Sequence, residues 1–180
     1  MTVERNKPNY SFFIVTTFRG CEEKAMSEIR KTFLKADTNN LKISKTASPG
    51  LLVGTAENSI SEIIPDLRRI IEEEPWQIRY ILRIVPLELI VNSLDRLPEQ
   101  IKRLTARIPP DSSFRVTVEK RNSTIDSNDL IRNVAKIVLS PVDLDNPKWI
   151  IMIQIIGKWV ALGVLEPREI LSVVRIKRGD

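Results

Sequence analysis

The side chains able to do chemistry in this 180-residue chain are mostly cations. Arg115 and Arg121 fall on one face of the stretch 114–121, because side chains alternate along a strand, and Lys120 stands beside them at its exit. Arg132 and Lys136 are four residues apart, hence neighbours on one face of a helix. Lys158 tips a Gly157-Lys158 turn, and Arg175 and Lys177 lie in a basic C-terminal run with Arg178. Phosphate backbones are held by cations gathered on one surface, and each contact displaces counterions and makes affinity salt-dependent. The plain alternative is that each charge is solvated alone. The net charge is +5 and the isoelectric point about 9.5, with no dense polybasic block in either half. A nucleic-acid site therefore depends on how the charges cluster in space.

Composition removes most other chemistry. The chain has no histidine, the side chain most used for proton transfer near neutral pH, and one cysteine, Cys21. Ser-His and Cys-His nucleophile pairs and zinc sites of the usual nitrogen and sulfur type are excluded. The six glycines occur singly, so neither phosphate-cradling glycine motif is present. Asp143 and Asp145 offer a carboxylate-only magnesium site, but in a turn-prone segment they read as backbone-bonding turn residues. Cys21, at a helix start, reads as an ordinary packed thiol, since no base can be named for it. Trp149 and Trp159 suit base stacking, yet their apolar strand neighbours favour the core; Trp76, after Pro75, reads as an edge residue. No metal and no cofactor are expected. No apolar run spans a membrane and residues 1–9 lack an apolar signal core, so a cytoplasmic protein is the expectation.

Hydrophobic patterning supplies the elements that position these residues. Strands are expected at Tyr10–Thr17, Leu41–Thr46, Leu51–Thr55 and Gln77–Val85, the last fenced by Pro75 and Pro86. Helices are expected at Cys21–Leu34, with Ala25, Ile29 and Phe33 inward, and after Ser61, a cap that puts Pro65 in the first turn. The order β-α-β-β-α-β is that of a ferredoxin-like unit. A short apolar connector follows at Leu87–Val91, and then a helix opened by Pro98. Next come the strand Phe114–Arg121 and a helix capped by Asp126. The apolar hairpin Trp149–Ile156 and Trp159–Leu165 comes after these, with a last strand expected at Ile170–Lys177.

The second half resembles a known module. Phe114-x-Val116, Lys120-Arg121, the helix start Ser127-Asn128-Asp129-Leu130-Ile131, the run Val142-Asp143-Leu144-Asp145-Asn146-Pro147 and the isoleucine-rich strand ending at Gly157 are similar, in that order, to a THUMP domain. THUMP domains are RNA-binding modules of tRNA-modifying proteins, and many follow a ferredoxin-like domain. Gly20-Cys21-Glu22 is similar to the Gly-x-Glu found there. The resemblance implies an α/β (α+β) protein with a ferredoxin-like N-terminal domain at 1–86 and a THUMP-like domain at 87–180. It implies RNA contacts from Arg121, which matches the arginine closing the family's Phe-x-Val strand, and from the cations around it. With no catalytic signature in the sequence, it also implies a non-enzymatic adaptor. That adaptor would bind tRNA rather than DNA and present it to a separate modification enzyme, a tRNA cytidine acetyltransferase. A protein-interaction module without RNA binding, and the RNA-binding half of a modifying enzyme, are the alternatives.

Overall fold

The computed structural model describes residues 12–38, 40–57 and 59–179, so Tyr10 and Ser11 lie outside the described residues. In chain order the elements are β1 (Phe12–Thr17), α1 (Glu22–Lys35), β2 (Lys42–Lys45), β3 (Leu51–Thr55), α2 (Ile60–Glu73), β4 (Ile81–Leu87), β5 (Leu89–Val91), α3 (Leu97–Thr105), β6 (Phe114–Arg121), α4 (Ser127–Ala135), β7 (Trp149–Ile156), β8 (Trp159–Leu165), β9 (Leu171–Ser172) and α5 (Val173–Arg178). They form two compact units. The first takes in the described residues of Met1–Pro86 and Leu171–Asp180, and the second is Leu87–Ile170. Among the described residues no helix is long and apolar enough to cross a membrane.

The first unit is a five-stranded sheet in the order β2-β3-β1-β4-β9. Its β1-α1-β2-β3-α2-β4 succession is the one the hydrophobic periods predict. Ala25, Ile29 and Phe33 recur every fourth residue and are fully buried on α1, and Phe13 of β1 stacks on Phe33 with centroids 4.9 Å apart. Two boundaries differ from expectation. The N-cap of α2 is Ser59 rather than Ser61, so Pro65 lies inside the helix. The buried stripe Ile60, Ile63, Ile64, Leu67, Ile70 and Ile71 extends the helix to Ile60 despite the missing proline amide. The fourth strand begins at Ile81, not Gln77, and runs through Pro86. The cause is Glu28 of α1, whose carboxylate accepts from the amides of Arg79 (2.7 Å), Tyr80 (2.8 Å) and Ile81 (3.1 Å) and holds residues 76–80 as a turn.

The C-terminal segment also departs from expectation. Only Leu171 and Ser172 form a strand, paired with Ile84 and Arg83 of β4, and Val173–Arg178 is helical. The β-branched pair Val173-Val174 suggests a strand, but Val173 and Ile176 are buried three residues apart, a helical spacing. The described residues of Leu171–Asp180 thus group with the first unit.

The second unit is a four-stranded sheet in the order β5-β8-β7-β6, with β6 parallel to β7 and the other pairs antiparallel. Leu97, Ile101 and Leu104 of α3 and Val134 of α4 pack with Phe114, Val116, Ile151, Ile153, Ile155, Val160, Leu162 and Val164. Met152, Gln154 and Leu165, of opposite parity, are buried as well, which is why these strands read as nearly continuous apolar runs. Arg107, just after α3, is fixed by Glu88 (Nη1 to Oε2, 2.6 Å) and donates to the Val164 carbonyl.

Candidate nucleic-acid interface

Parallel pairing brings the C-terminal ends of β6 and β7 to the same end of the sheet. Arg121 registers with Ile156, and the Gly157 amide donates to the Arg121 carbonyl at 3.0 Å. Ile156 pairs with Trp159 across a two-residue loop. Gly157 alone of the loop pair has positive φ (58°), the pattern of a type II′ hairpin turn with glycine first. This turn projects Lys158 and Trp159, the latter 56% exposed, at the sheet end where β6 closes with Arg121, with Ile156 of β7 between Arg121 and Trp159.

Lys120 and Arg121 leave the strand on opposite faces. Lys120 Nζ donates to the Ile125 carbonyl (2.7 Å) in the loop to α4, and Arg121 Nη1 donates to the Lys120 carbonyl (3.0 Å). A guanidinium has five N–H groups and an ammonium three, so both remain donors to a ligand while being anchored. Asn122 takes positive φ (53°) and turns the chain off the strand, a conformation asparagine tolerates. The α4 N-terminus is closed by Asp126, whose Oδ1 accepts from Asn128 (2.8 Å) and Asp129 (3.0 Å). The Asp129 and Asn128 amides hold its carboxyl below the ordinary aspartate value.

Of the other sequence-derived cations, Arg115, Arg175 and Lys177 lie elsewhere, while Arg132 acts with Lys120 on the Asp126 carboxyl. Arg115 is at the opposite end of β6, about 20 Å from Arg121 at roughly 3.3 Å per residue, and its Nη1 donates to the Leu144 carbonyl at 2.8 Å. Arg132 pairs with Asp129 (3.3 Å), both well exposed, and Lys136 is the exposed C-cap of α4. Arg175 and Lys177 are on α5 in the first unit, where the Lys177 amine bonds the Ile78 carbonyl. The structure therefore brings Lys120, Arg121 and Lys158 to one end of the sheet, Lys120 on the face opposite Arg121 and, with Arg132, within electrostatic reach of Asp126. It places Arg115 at the other end of β6, and Arg175 and Lys177 in the first unit.

Trp159 is the residue the sequence misplaces. Core packing is expected for it, but as the first residue after the hairpin turn it lies beyond the packed layer; Trp149, at the far end of β7, is half-buried against the core. Asp143 Oδ1 accepts from the amides of Asp145 (3.0 Å) and Asn146 (2.9 Å), the turn role rather than a metal site. Among the described residues no group of three or more His, Cys, Asp or Glu side chains could hold a metal ion. Cys21 is the half-buried N-cap residue of α1.

The sequence model of the THUMP domain matches residues 91–165, so the chain contains a THUMP domain, and Lys120, Arg121, Lys158 and Trp159 all lie within it. No curated protein sequence matches the chain. Its fold is similar to that of PH1313 from Pyrococcus horikoshii Ot3, at 20% identity and TM-score 0.65, over 86% of this chain and 54% of that one. TrmN from Thermus thermophilus is similar at 17% identity and TM-score 0.57, over 87% of this chain and 47% of that one. A 4-thiouridine synthetase, in a complex with RNA and bound ATP, is similar at 10% identity and TM-score 0.57, over 89% of this chain and 41% of that one. The chain thus spans about half the length of these proteins or less, and at such identities the likeness is one of fold.

Proposed function

We propose that this chain binds structured RNA, with tRNA as the substrate class, through the end of the β6-β7-β8 sheet, and presents it to a separate modification enzyme. The presence of a THUMP domain points to RNA binding in tRNA modification. The observation that carries the reading is that Lys120, Arg121, Lys158 and exposed Trp159 share one end of the sheet inside that domain, Lys120 on one face and Arg121 and Trp159 on the other. The cations take backbone phosphates, which position the RNA, and folded RNA is then recognised by shape. An unpaired base can stack on Trp159.

The finer reading concerns the chemistry. A chain with no histidine, one cysteine and no glycine-rich phosphate loop lacks the usual groups for acyl or phosphoryl transfer. The modification step then falls to a partner, and the resemblance to stand-alone THUMP adaptors makes that partner a tRNA cytidine acetyltransferase. A second reading, the RNA-binding part of a longer modifying enzyme, is favoured by the greater length of the solved structures. Both readings share the RNA step. The test is binding of the purified chain to whole tRNA, an RNA duplex and DNA of equal length at low and moderate salt. Salt-sensitive preference for tRNA supports the proposal; equal weak binding to all three turns the cations into a solvated face and leaves a protein-interaction module.

A further inference from the structure

A second surface, on the first unit, has the chemistry of an RNA contact. It is centred on the turn between α2 and β4. Glu28 grips that turn by three backbone amides, so what the turn displays is fixed in place. It displays Trp76, 63% exposed, and Tyr80, half-buried. Lys24 lies over the Tyr80 ring, 5.1 Å from its centroid, and Arg79 Nε donates to the Trp76 carbonyl at 3.1 Å. The Lys177 amine bonds the carbonyl of Ile78 from α5. A shallow depression beside the turn brings Lys31 and Lys35 of α1 against Gln77 and Ile78. Of the nearby carboxylates, Glu28 is engaged by backbone amides, Glu74 by Lys35 and Glu73 by Arg69, while Glu72 is exposed at the end of α2.

We propose that the Trp76–Tyr80 turn, ringed by Lys24, Lys31, Arg79 and Lys177, is a second RNA-contact surface of this chain. It takes an unpaired base on the face of Trp76 and the adjoining phosphates on the cations. The inference rests on the RNA-binding reading and extends it to the first unit. An acidic protein is the competing occupant, and the composition of the ring argues against it. Tryptophan, tyrosine and arginine suit protein interfaces as well, but lysine is depleted there and three of the four ring cations are lysines, whereas a phosphate is well served by a compact ammonium. Exposed aromatic rings set among cations are the pattern of single-strand binding, in which bases stack and the backbone is neutralised.

The test is tRNA binding across a salt series by the wild type, Trp76→Ala, Trp76→Phe, the triple variant Lys24→Ala/Lys31→Ala/Arg79→Ala, and Arg121→Ala. Lys177 is left intact because its amine holds the turn. Trp76→Ala is expected to weaken tRNA binding roughly fivefold to a hundredfold, the usual worth of one stacked base. Trp76→Phe retains most of the affinity, and a fully paired RNA duplex shows a smaller loss. The triple variant lowers the slope of log affinity against log salt by about two to three. The altered side chains are exposed or half-buried at the surface, so the unfolding midpoint stays close to that of the wild type. Wild-type affinity and slope in Trp76→Ala and the triple variant, with weakened binding in Arg121→Ala, would overturn this inference and leave the sheet-end site standing. No salt-sensitive RNA affinity in the wild type would overturn both.

Discussion

Arg121→Ala removes one anchored cation from the end of the β6-β7-β8 sheet while leaving its backbone pairing with Ile156 in place. One phosphate contact contributes about 0.9 to the salt slope on a duplex and about 0.7 on a single strand. Binding of Arg121→Ala to tRNA should therefore show a slope smaller by that amount. Because the slope acts on the logarithm of salt, the advantage of the wild type shrinks roughly threefold between 50 and 200 mM. Arg121→Ala/Lys158→Ala removes two contacts, and the same arithmetic gives about seven- to twelvefold. Arg121→Lys keeps the charge but loses the fork that lets the guanidinium bond the Lys120 carbonyl and a phosphate together. It should keep the slope and lose part of the affinity at every salt. Arg103→Ala, an exposed α3 position away from the strand end, measures the effect of bulk charge alone. The assay is a fluorescence or filter titration with labelled tRNA at four or more salt concentrations. Equal slope changes for Arg103→Ala and Arg121→Ala would refute a localised site.

Trp159→Ala should weaken binding of RNA with unpaired nucleotides more than binding of a blunt duplex, by about 1–3 kcal/mol, as read in paired titrations. Glu28→Gln keeps the side chain's size but replaces one acceptor oxygen by a donor group, stranding amides of Arg79, Tyr80 or Ile81. A loss of about 1–3 kcal/mol in a urea unfolding curve is expected. Gly54→Ala would place a Cβ 2.7 Å from Cε2 of Phe13, a buried ring stacked on Phe33; overpacking of this kind costs about 1–3 kcal/mol and should lower the melting temperature. The Glu22 carboxyl is held below its ordinary value mainly by the Gly50 amide, and that of Asp126 by the Asp129 and Asn128 amides. Both folded values lie below the unfolded ones, so their contribution to stability is present above the ordinary carboxylate range and lost as pH falls through the lowered values. Asp126→Asn retains the cap acceptor and should flatten part of that acid-side decline in a melting-temperature profile.

The elements were legible where one period decided them. Phe114–Arg121, the hairpin at Trp149–Leu165 and the Asp126 cap fall as the sequence predicts, because alternation, a glycine turn and a local acceptor each act within a few residues. Long-range contacts were not legible. Nothing around Gln77 announces that Glu28, 51 residues before Arg79, will bend residues 76–80 into a turn. Nothing after Pro167 shows that Leu171 will pair with β4 and carry Arg175 and Lys177 to the first unit. The site followed the same rule. Lys120-Arg121 and Lys158 share one end of the sheet because β6 and β7 run parallel, a fact of topology, whereas Arg115 and Arg121 share a face yet stand six residues apart. Trp159 had a readable signal: it directly follows the two-residue turn, where a strand has left its packed layer.

The number of cations at the sheet end limits what the site can do by charge alone. Three phosphate contacts give a slope of roughly two to three and an affinity loss of about 20- to 40-fold between 50 and 200 mM salt. Proteins that hold nucleic acid by charge use about 6–10 contacts and lose thousandfold or more over that range. In the proposed role, charge alone at this end gives weak binding indifferent to sequence, and selection must come from fit. The structure supplies what fit requires. Lys120 is tethered to the Ile125 carbonyl, Arg121 to that of Lys120, and the hairpin tip bearing Lys158 and Trp159 is pinned by the Gly157–Arg121 hydrogen bond. Donors fixed in this way lose little freedom on binding. In the proposed role they would favour an RNA whose phosphates and unpaired base already stand at matching positions, which is a property of folded RNA and not of a flexible strand.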